Sequence, residues 1–230
     1  MTSLTFTVEA RDRAADLKAT ISDLVMAGWT GRDEKALWHH IEELKELGVK
    51  PPASVPVFYP IAPARMTRHD MIHVSGEGTS GEVEYFLLNH QGDLYVGTGS
   101  DHTDRDLETV GVTLSKQICD KPVSGTLWRY EDVKPHWDRL QVSAWCDFGD
   151  GEGEVLYQQA TLDSMREPAD LIARGYGAGV LPEGGVMFGG APGAIGGIRP
   201  AASFRFELHD PVLDRSLEHG YRIRSMAVPG

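Results

Sequence analysis

The sequence predicts a β-rich α+β fold, and three observations indicate it. Leu4, Phe6 and Val8 alternate with polar residues at the start of the chain, which is typical of a strand. From residue 81 onward, short apolar runs recur between turns rich in glycine and aspartate, as in a series of paired strands. Few stretches have helical periodicity, so we expect a sheet-dominated molecule with two or three helices.

The helices are predicted at three places. After the opening strand, the alanine-rich run to Ala27 is predicted to form a helix that ends at Gly28. A second helix is predicted to begin after an Asp33 cap and to continue to about Leu47, just before the helix-breaking sequence GVKPP. A third, short helix is expected near Pro168–Ala173.

Strands are expected in most of the remaining chain. No linker, composition shift or internal repeat interrupts it, so residues 1–230 are predicted to form a single domain. Besides the first strand and a central hairpin, the strand-like segments are SGTLWRYEDV, DRLQVSAWCDFG, EVLYQQATL, GGVMFGG, ASFRFELHD and GYRIRSM.

The central hairpin is predicted from the segment GEVEYFLLNHQGDLYVGTGSD. Two strand-like runs flank a polar turn, and a two-residue loop of Gln91-Gly92 would make the numbers of facing residues add up to 183. Glu82 then lies opposite Asp101, and Glu84 lies opposite Gly99. Since side chains on a strand alternate between faces, the three carboxylates would share one face, and a shift of one residue would separate them.

Two interpretations of this acidic face are open at this stage. Like charges opposite each other destabilise a sheet, so the face could be solvated in another register. Alternatively, the carboxylates of Glu82, Glu84 and Asp101 could bind a divalent cation, because Mg²⁺ and Mn²⁺ prefer hard oxygen ligands.

Composition limits the classes of partner. The chain has 41% hydrophobic and 24% charged residues, a formal net charge of -12 and a pI near 5.1. An acidic protein is repelled by nucleic acid and by anionic membranes, so neither is expected as the main partner.

The two cysteines, Cys119 and Cys146, have no metal-binding spacing and are expected to be packed thiols of a reducing compartment. The N-terminus lacks the charged start and apolar run of a signal peptide, and a cytoplasmic location is therefore expected.

Several familiar enzyme motifs are missing from the sequence. It contains no GxSxG, HExxH or GxxxxGK[ST] pattern, and no GxGxxG follows a strand. The glycine-rich segment FGGAPGAIGG lacks the lysine and serine of a phosphate-binding loop, and a tight backbone turn is its simplest interpretation. His69 and His73 are four residues apart, but no helical stripe supports them as a metal-binding pair.

The second predicted helix carries a candidate catalytic pair. His40 lies on the apolar stripe, and Glu43 follows it by three residues, on the same side of the helix. A carboxylate that orients a histidine raises the basicity of the imidazole and fixes its tautomer, as a general base requires. A capping interaction between two partly buried side chains is the alternative interpretation.

The order of these segments resembles that of the fumarylacetoacetate hydrolase superfamily. The matching segments are a GRD turn before the helix with His40 and Glu43, the E-x-E strand, GSDHTDRD, a lysine before KPVSG, and LPEGGVMFGGAPGAIGG. The corresponding patterns of the family are a G-R-N-Y turn, an E-x-E pair, D-x-[ST]-x-R-D, a lysine and G-D-x-I-x-T-G-T-P-x-G-x-G. The resemblance extends from about Gly28 to the C-terminus and is closest to a divergent branch. It implies a mixed β-roll, like the C-terminal domain of that family, with a few short helices, and a homodimer.

The resemblance also implies roles for individual residues. Glu82, Glu84 and Asp101 would be the metal ligands, which is the cluster that the hairpin register predicts independently. The ion would be Mg²⁺ or Mn²⁺, and Ca²⁺ could take the same site in a crystal. Four further residues would have roles in catalysis or substrate binding. His40 with Glu43 would be the pair that activates water, and Lys116 would lie near the metal to hold the third carboxylate or polarise the substrate. Arg32 of the turn would contact an anionic group of the substrate.

The glycine-rich loop departs from the family pattern. Gly189 and Ala191 stand where the family has threonines, and Gly185 stands where it has an aspartate. The hydroxyl that commonly holds the carboxylate of the substrate is therefore missing from this loop. Either the substrate lacks a 2-oxo acid end, or backbone N–H groups at Gly190 and its neighbour Ala191 bind that end.

The reaction implied by the resemblance is hydrolysis of a carbon–carbon bond. The substrate would be a small 1,3-dicarbonyl or acylpyruvate-like compound that reacts through an enolate stabilised by the metal. Decarboxylation, tautomerisation or dehydration of a 2-oxo acid at the same metal site is the first alternative. A noncatalytic relative that binds a small molecule is the second.

Overall fold

An eight-stranded and a five-stranded sheet form the body of the protein. The computed structural model describes residues 1–10, 13–46, 52 and 54–228, without the side chains of residues 10, 13, 40 and 43–46. In this part of the chain the strands are β1 (Thr2–Ala10), β2 (Arg13–Ile21), β3 (Asp23–Gly28), β4 (Val57–Ile61), β5 (Met66–Thr67), β6 (Met71–Ser75), β7 (Thr79–Ser80), β8 (Val83–His90), β9 (Asp93–Ser100), β10 (Thr103–Asp104), β11 (Lys121–Pro122), β12 (Thr126–Arg129), β13 (Gln141–Asp147), β14 (Glu154–Thr161), β15 (Gly185–Phe188), β16 (Ser203–Asp210) and β17 (Arg215–Met226). The α-helices are α1 (Glu34–Glu46), α2 (Arg105–Glu108), α3 (Val112–Gln117), α4 (Tyr130–Val133) and α5 (Pro168–Gly175).

The larger sheet has the strand order β2-β1-β12-β9-β8-β15-β3-β4, and the smaller one has the order β14-β13-β16-β17-β6. The larger sheet curls so that one of its faces encloses a core that includes Phe6, Phe86 and Phe188. Its other face packs on the smaller sheet through a second core that contains Tyr85 and Phe206. The fold is therefore β-rich with few short helices, which is consistent with the predicted roll.

The prediction of a helix before Gly28 was wrong, because this part of the chain forms β2 and β3. Strand β2 pairs with β1 in antiparallel register from Thr2 opposite Ile21 to Ala10 opposite Arg13. Along β2, Leu17, Ala19 and Ile21 are buried, whereas the residues between them are exposed. Alanine has the highest helix propensity, but propensity is a weak effect, and strand pairing with burial of alternate side chains overrides it.

The other two predicted helices are confirmed. Helix α1 begins after Asp33, whose carboxylate accepts hydrogen bonds from the backbone N–H groups of Lys35 (2.9 Å) and Ala36 (3.1 Å). Helix α5 begins at Pro168, since proline suits the first turn of a helix. Each of the six predicted strand segments contains an observed strand, and Cys119 and Cys146 are buried as expected.

The short helices α2 and α3 were not predicted individually. Asp104 caps α2 by accepting a hydrogen bond of 2.9 Å from the backbone N–H of Leu107. These two helices carry Arg105 and Lys116 to the end of the central hairpin. Within the described residues, every helix is too short or too polar to cross a membrane.

Candidate metal centre

The central hairpin has the predicted register. Strands β8 and β9 pair with Val83 opposite Ser100 and Glu84 opposite Gly99. The turn residues Gln91 and Gly92 have φ angles of 56° and 82°, as a tight two-residue hairpin loop requires. Just beyond the strand ends, the backbone N–H of Asp101 donates a hydrogen bond of 2.9 Å to the carbonyl oxygen of Glu82.

This register brings the three predicted carboxylates together. One oxygen from each of Glu82, Glu84 and Asp101 can be chosen so that all three lie within 4.8 Å of one another. Glu84 is 3% and Asp101 is 1% exposed, whereas 24% of the surface of the Glu82 side chain is exposed. Three acidic groups thus converge at a point that is largely shielded from water.

The arrangement fits a divalent ion. Oxygens on opposite sides of one ion are about 4.2 Å apart for Mg²⁺ and about 5 Å apart for Ca²⁺, so three oxygens within 4.8 Å of one another fit the span of Ca²⁺ and come close to that of Mg²⁺. Asp101 Oδ1 is buried and makes no well-aligned hydrogen bond to the described residues, although Lys121 Nζ lies 3.1 Å away. The ammonium of Lys121 therefore already pairs with this oxygen, and the fit to a divalent ion rests on the three converging oxygens.

Two ammonium groups and a guanidinium surround the carboxylates. Lys116 Nζ lies 2.5 Å from Asp101 Oδ2 and 3.7 Å from Glu82 Oε2, and the fully buried Lys121 contacts the other oxygen of Asp101. Arg105 Nη2 lies 3.2 Å from Glu82 Oε1. Three positive charges therefore face three carboxylates, which permits this acidic cluster to be buried.

The two buried carboxyl groups differ in their proton affinity. Burial tends to raise the pKa of Asp101, but the ammonium groups of Lys116 and Lys121 lower it to about 2. Burial and the charge of Asp101 raise the pKa of Glu84 well above its ordinary value, and Lys116 only partly opposes this effect. Of these two groups, Glu84 therefore holds a proton more readily than Asp101.

Lys121 and Arg105 were missed by the sequence analysis. Arg105 belongs to the segment GSDHTDRD, which carries the family resemblance, so a signal was present. No local pattern distinguishes Lys121. It reaches Asp101 because β11 pairs with β5, which places Lys121 beside Met66.

The glycine-rich loop reaches the cluster through its backbone. The N–H of Gly190 donates a hydrogen bond of 2.7 Å to Glu84 Oε2, and the N–H of Gly189 donates one of 3.0 Å to the carbonyl oxygen of Tyr85. Ala191 follows in the same loop and is partly buried. Of the two loop residues predicted to bind substrate, Gly190 thus supports a carboxylate of the cluster.

Arg32 makes a different set of contacts. Its guanidinium donates hydrogen bonds of 2.8 and 2.7 Å to the two carboxylate oxygens of Asp138 and one of 2.8 Å to the carbonyl oxygen of Met165. Hydrogen bonding to Asp138 raises the pKa of Arg32. An anionic substrate that contacts Arg32, as predicted, would have to share this guanidinium with Asp138.

The predicted catalytic pair lies in α1. His40 and Glu43 are within the bounds of this helix, but their side chains are outside the described residues. The structure therefore brings together Glu82, Glu84, Asp101, Lys116 and the N–H of Gly190, and the role of His40 with Glu43 stays a prediction.

Solved structures with a similar fold include metal complexes. Cg1458 has 17% sequence identity and a TM-score of 0.64, with 94% of this chain and 83% of that chain covered. 2-Keto-3-deoxy-D-arabinonate dehydratase complexed with magnesium and 2,5-dioxopentanoate has 15% identity and a TM-score of 0.62, with 96% and 79% covered. 4-Oxalocrotonate decarboxylase from Pseudomonas putida G7, complexed with calcium and acetate, has 14% identity and a TM-score of 0.51, with 89% and 79% covered. The chain therefore shares the fold of these proteins, and that fold is consistent with the predicted β-roll.

Sequence comparison identifies the family of the chain. No curated protein matches it in sequence. A family profile described as "Protein of unknown function (DUF2848)" matches residues 27–221. This range includes the hairpin, both lysines and the glycine-rich loop, and the chain therefore belongs to the DUF2848 family.

Proposed function

We propose that this protein is a divalent-metal-dependent enzyme that acts on a small oxo acid or 1,3-dicarbonyl compound. The observation that supports the proposal most directly is the convergence of Glu82, Glu84 and Asp101 at a largely buried point. Lys116, Lys121 and Arg105 already offset the acidic charge, so the support lies in the convergence of three carboxylate oxygens, which are the ligands that Mg²⁺ or Mn²⁺ prefers. A homodimer and a small-molecule substrate are parts of the proposal.

Each residue of the cluster would have a separate role in binding the metal. Glu82, Glu84 and Asp101 would hold the ion, Lys116 would fix the orientation of Asp101, and the N–H of Gly190 would fix that of Glu84. When bound, a divalent ion supplies positive charge that draws electrons from two chelating oxygens of a substrate. The low exposure of the site strengthens this attraction because little water competes.

The leading reaction is hydrolysis of a carbon–carbon bond. The oxygen of water would add to one carbonyl carbon of a 1,3-dicarbonyl or acylpyruvate-like substrate, while His40, oriented by Glu43, takes the proton. The bond from that carbon to the central carbon would then break, leaving its electron pair on the central carbon as an enolate. Protonation of the enolate would release the second product.

A second candidate is a lyase or isomerase that acts on a 2-oxo acid. The similar folds of a dehydratase and a decarboxylase favour it, because both act on oxo acids according to their names. Decarboxylation, dehydration and tautomerisation also proceed through an enolate, and they do not require an activated water. The activity of His40→Ala separates the candidates: hydrolysis should fall sharply, whereas a lyase activity should stay near that of the wild type.

The first experiment is a thermal melt of chelator-treated wild type, Glu84→Gln and Glu77→Gln with and without millimolar Mg²⁺ or Mn²⁺. An ion at 100 times its Kd adds about 2.7 kcal/mol of stability, or roughly 5–10 °C in Tm. We expect the rise in the wild type and in Glu77→Gln, whose residue is exposed, but not in Glu84→Gln. Acylpyruvates and other oxo acids are then tested as substrates of the metal-loaded protein.

Two results would count against the proposal. If neither ion changes the Tm of the wild type, the proposed metal site does not bind metal. If turnover continues after all metal has been removed, the reaction does not need the ion. Metal binding without turnover of any oxo acid or dicarbonyl would instead favour a noncatalytic relative that binds a small molecule.

A further inference from the structure

Four hydrogen-bonded side chains form a buried row beside the end of the central hairpin. The hydroxyl of Tyr221, on β17, lies 2.8 Å from Ser100 Oγ and 2.9 Å from His102 Nδ1. On the other side of the imidazole ring, His102 Nε2 lies 2.9 Å from Thr79 Oγ1, on β7. All four residues are at most 3% exposed. His102 thus connects the smaller sheet with the strand pair of β7 and β10.

The imidazole of His102 is neutral, and both of its nitrogens are paired. Burial and, to a lesser extent, the charge of Lys121 lower the pKa of His102 to about 3. A neutral imidazole has one donor and one acceptor nitrogen, and a hydroxyl can pair with either. Loss of one hydroxyl would leave a buried ring nitrogen unpaired, which is unfavourable. The two hydroxyls therefore hold the ring in one orientation.

The backbone of His102 is joined to the candidate metal centre. Its carbonyl oxygen accepts a hydrogen bond from Lys121 Nζ, which also lies 3.1 Å from Asp101 Oδ1. Next along the chain, Thr103 Oγ1 donates a hydrogen bond of 3.0 Å to the carbonyl oxygen of Asp101. One buried ammonium group thus contacts both the backbone of His102 and the carboxylate of Asp101. A shift of His102 would therefore disturb that carboxylate.

Asp101 and His102 lie in the gap between two strands. Strand β9 ends at Ser100, and β10 begins at Thr103. In this gap the backbone N–H of Asp101 bonds to the carbonyl oxygen of Glu82, whereas His102 is held through its ring and its carbonyl oxygen. His102 also occupies a position that the family pattern D-x-[ST]-x-R-D leaves open. Its hydrogen bonds are thus a feature of this chain that the family pattern does not specify.

We propose that His102 is a positioning residue that fixes the carboxylate of Asp101 for metal binding. The inference rests on the proposed function, because it concerns the same candidate metal centre. Tyr221 and Thr79 hold the imidazole ring, which fixes the backbone that follows Asp101. That backbone and the ammonium group of Lys121 then set the direction of the two carboxylate oxygens. Groups that orient a metal ligand without touching the metal typically change metal affinity about 10–100-fold when they are replaced.

The test removes the partners of the ring and keeps the ring itself. Calorimetry measures the affinity of the full chain for Mg²⁺, and the electron paramagnetic resonance spectrum of bound Mn²⁺ reports the symmetry of its ligands. We expect Thr79→Val and Tyr221→Phe each to bind Mg²⁺ roughly tenfold more weakly and to change the Mn²⁺ spectrum. Thr79→Ser keeps the hydroxyl and should bind Mg²⁺ like the wild type. If Tyr221→Phe does not fold, the comparison of Thr79→Val with Thr79→Ser decides.

Tyr157→Phe is the matched control for a loss of stability alone. Tyr157 is a buried tyrosine of the same core as Tyr221, and its hydroxyl accepts a hydrogen bond of 3.2 Å from the backbone N–H of Arg199. In denaturant unfolding, both tyrosine variants should be less stable than the wild type, since each loses a hydrogen-bonded hydroxyl. The Mg²⁺ affinity and the Mn²⁺ spectrum of Tyr157→Phe should nevertheless equal those of the wild type.

The outcomes separate this inference from the proposed function. If Thr79→Val and Tyr221→Phe have the Mg²⁺ affinity and the Mn²⁺ spectrum of the wild type, the role of His102 is overturned and the metal site stands. If Thr79→Ser binds as weakly as Thr79→Val, or Tyr157→Phe as weakly as Tyr221→Phe, the loss comes from packing in general and the inference also fails. If the wild type binds neither ion, the proposed metal site fails, and the role of His102 fails with it.

Discussion

The backbone N–H of Gly190 donates a hydrogen bond of 2.7 Å to Glu84 Oε2. This contact joins the glycine-rich loop to strand β8, although the two residues are 106 positions apart. It satisfies one oxygen of a carboxylate that is almost fully buried. The loop therefore helps to orient a candidate metal ligand, in addition to any contact with substrate.

Gly190→Ala is expected to disturb the loop and the metal site together. The new Cβ would overlap Thr30 Oγ1, and alanine is strained at a φ of 98°. We expect a loss of about 1–3 kcal/mol in the free energy of unfolding and weaker Mg²⁺ binding. Urea denaturation and calorimetry measure these effects. Gly193→Ala is the control, since a Cβ there meets no atom within 4 Å, and an equal loss in both variants would contradict the role of Gly190.

Asp101→Asn should destabilise the metal-free protein strongly. The substitution leaves the buried ammonium groups of Lys116 and Lys121 without their shared counterion. Breaking a buried ion pair on one side typically costs about 3–5 kcal/mol, whereas the exposed pair of Arg32 and Asp138 should contribute less than about 1 kcal/mol. Denaturant unfolding of Asp101→Asn and Asp138→Asn measures the difference, and similar losses in the two variants would be the contrary result.

Lys121→Met is expected to tighten metal binding while it destabilises the metal-free protein. The buried ammonium group lies 3.1 Å from Asp101 Oδ1 and repels a cation at the same carboxylate. Its removal should lower the Kd for Mg²⁺ roughly tenfold or more, since about 1.4 kcal/mol of repulsion corresponds to that factor. Lys134→Met, which removes an exposed lysine, is the matched control for calorimetry. Unchanged or weaker Mg²⁺ binding in Lys121→Met would show that Lys121 does not compete with the ion.

Metal affinity is expected to increase with pH. The pKa of Glu84 in the metal-free protein lies well above its ordinary value of 4.5, because of burial and the charge of Asp101. Below that raised pKa the ion must displace a proton, so its affinity should rise by up to tenfold per pH unit and level off above it. Calorimetry in buffers with different ionisation enthalpies counts the released protons. Release of no proton at the lower pH values would show that Glu84 is already ionised.

The stability of the metal-free protein should have the opposite pH dependence at Glu84. A raised pKa means that the folded state binds this proton more tightly than the unfolded chain does. The contribution is therefore complete below the ordinary pKa of 4.5 and is lost as the pH rises through the raised pKa. Chelator-treated Glu84→Gln should lack this component when its unfolding free energy is compared with that of the wild type across the same pH range.

The register of the central hairpin, which brings its carboxylates together, was predictable from the amino-acid sequence. A two-residue turn at Gln91-Gly92 fixes which residues face each other, and alternation then fixes their faces, so local rules were sufficient. The cap of α1 at Asp33 was predictable for the same reason.

The features that depend on distant partners arise only in the folded chain. The alanine-rich run became β2 because β1 lies beside it, and Lys121 reached Asp101 because β11 pairs with β5. The contacts of Gly190 with Glu84 and with Thr30 likewise join segments that are far apart along the chain. Neither propensity nor periodicity encodes such contacts, since they arise only when packing brings the segments together.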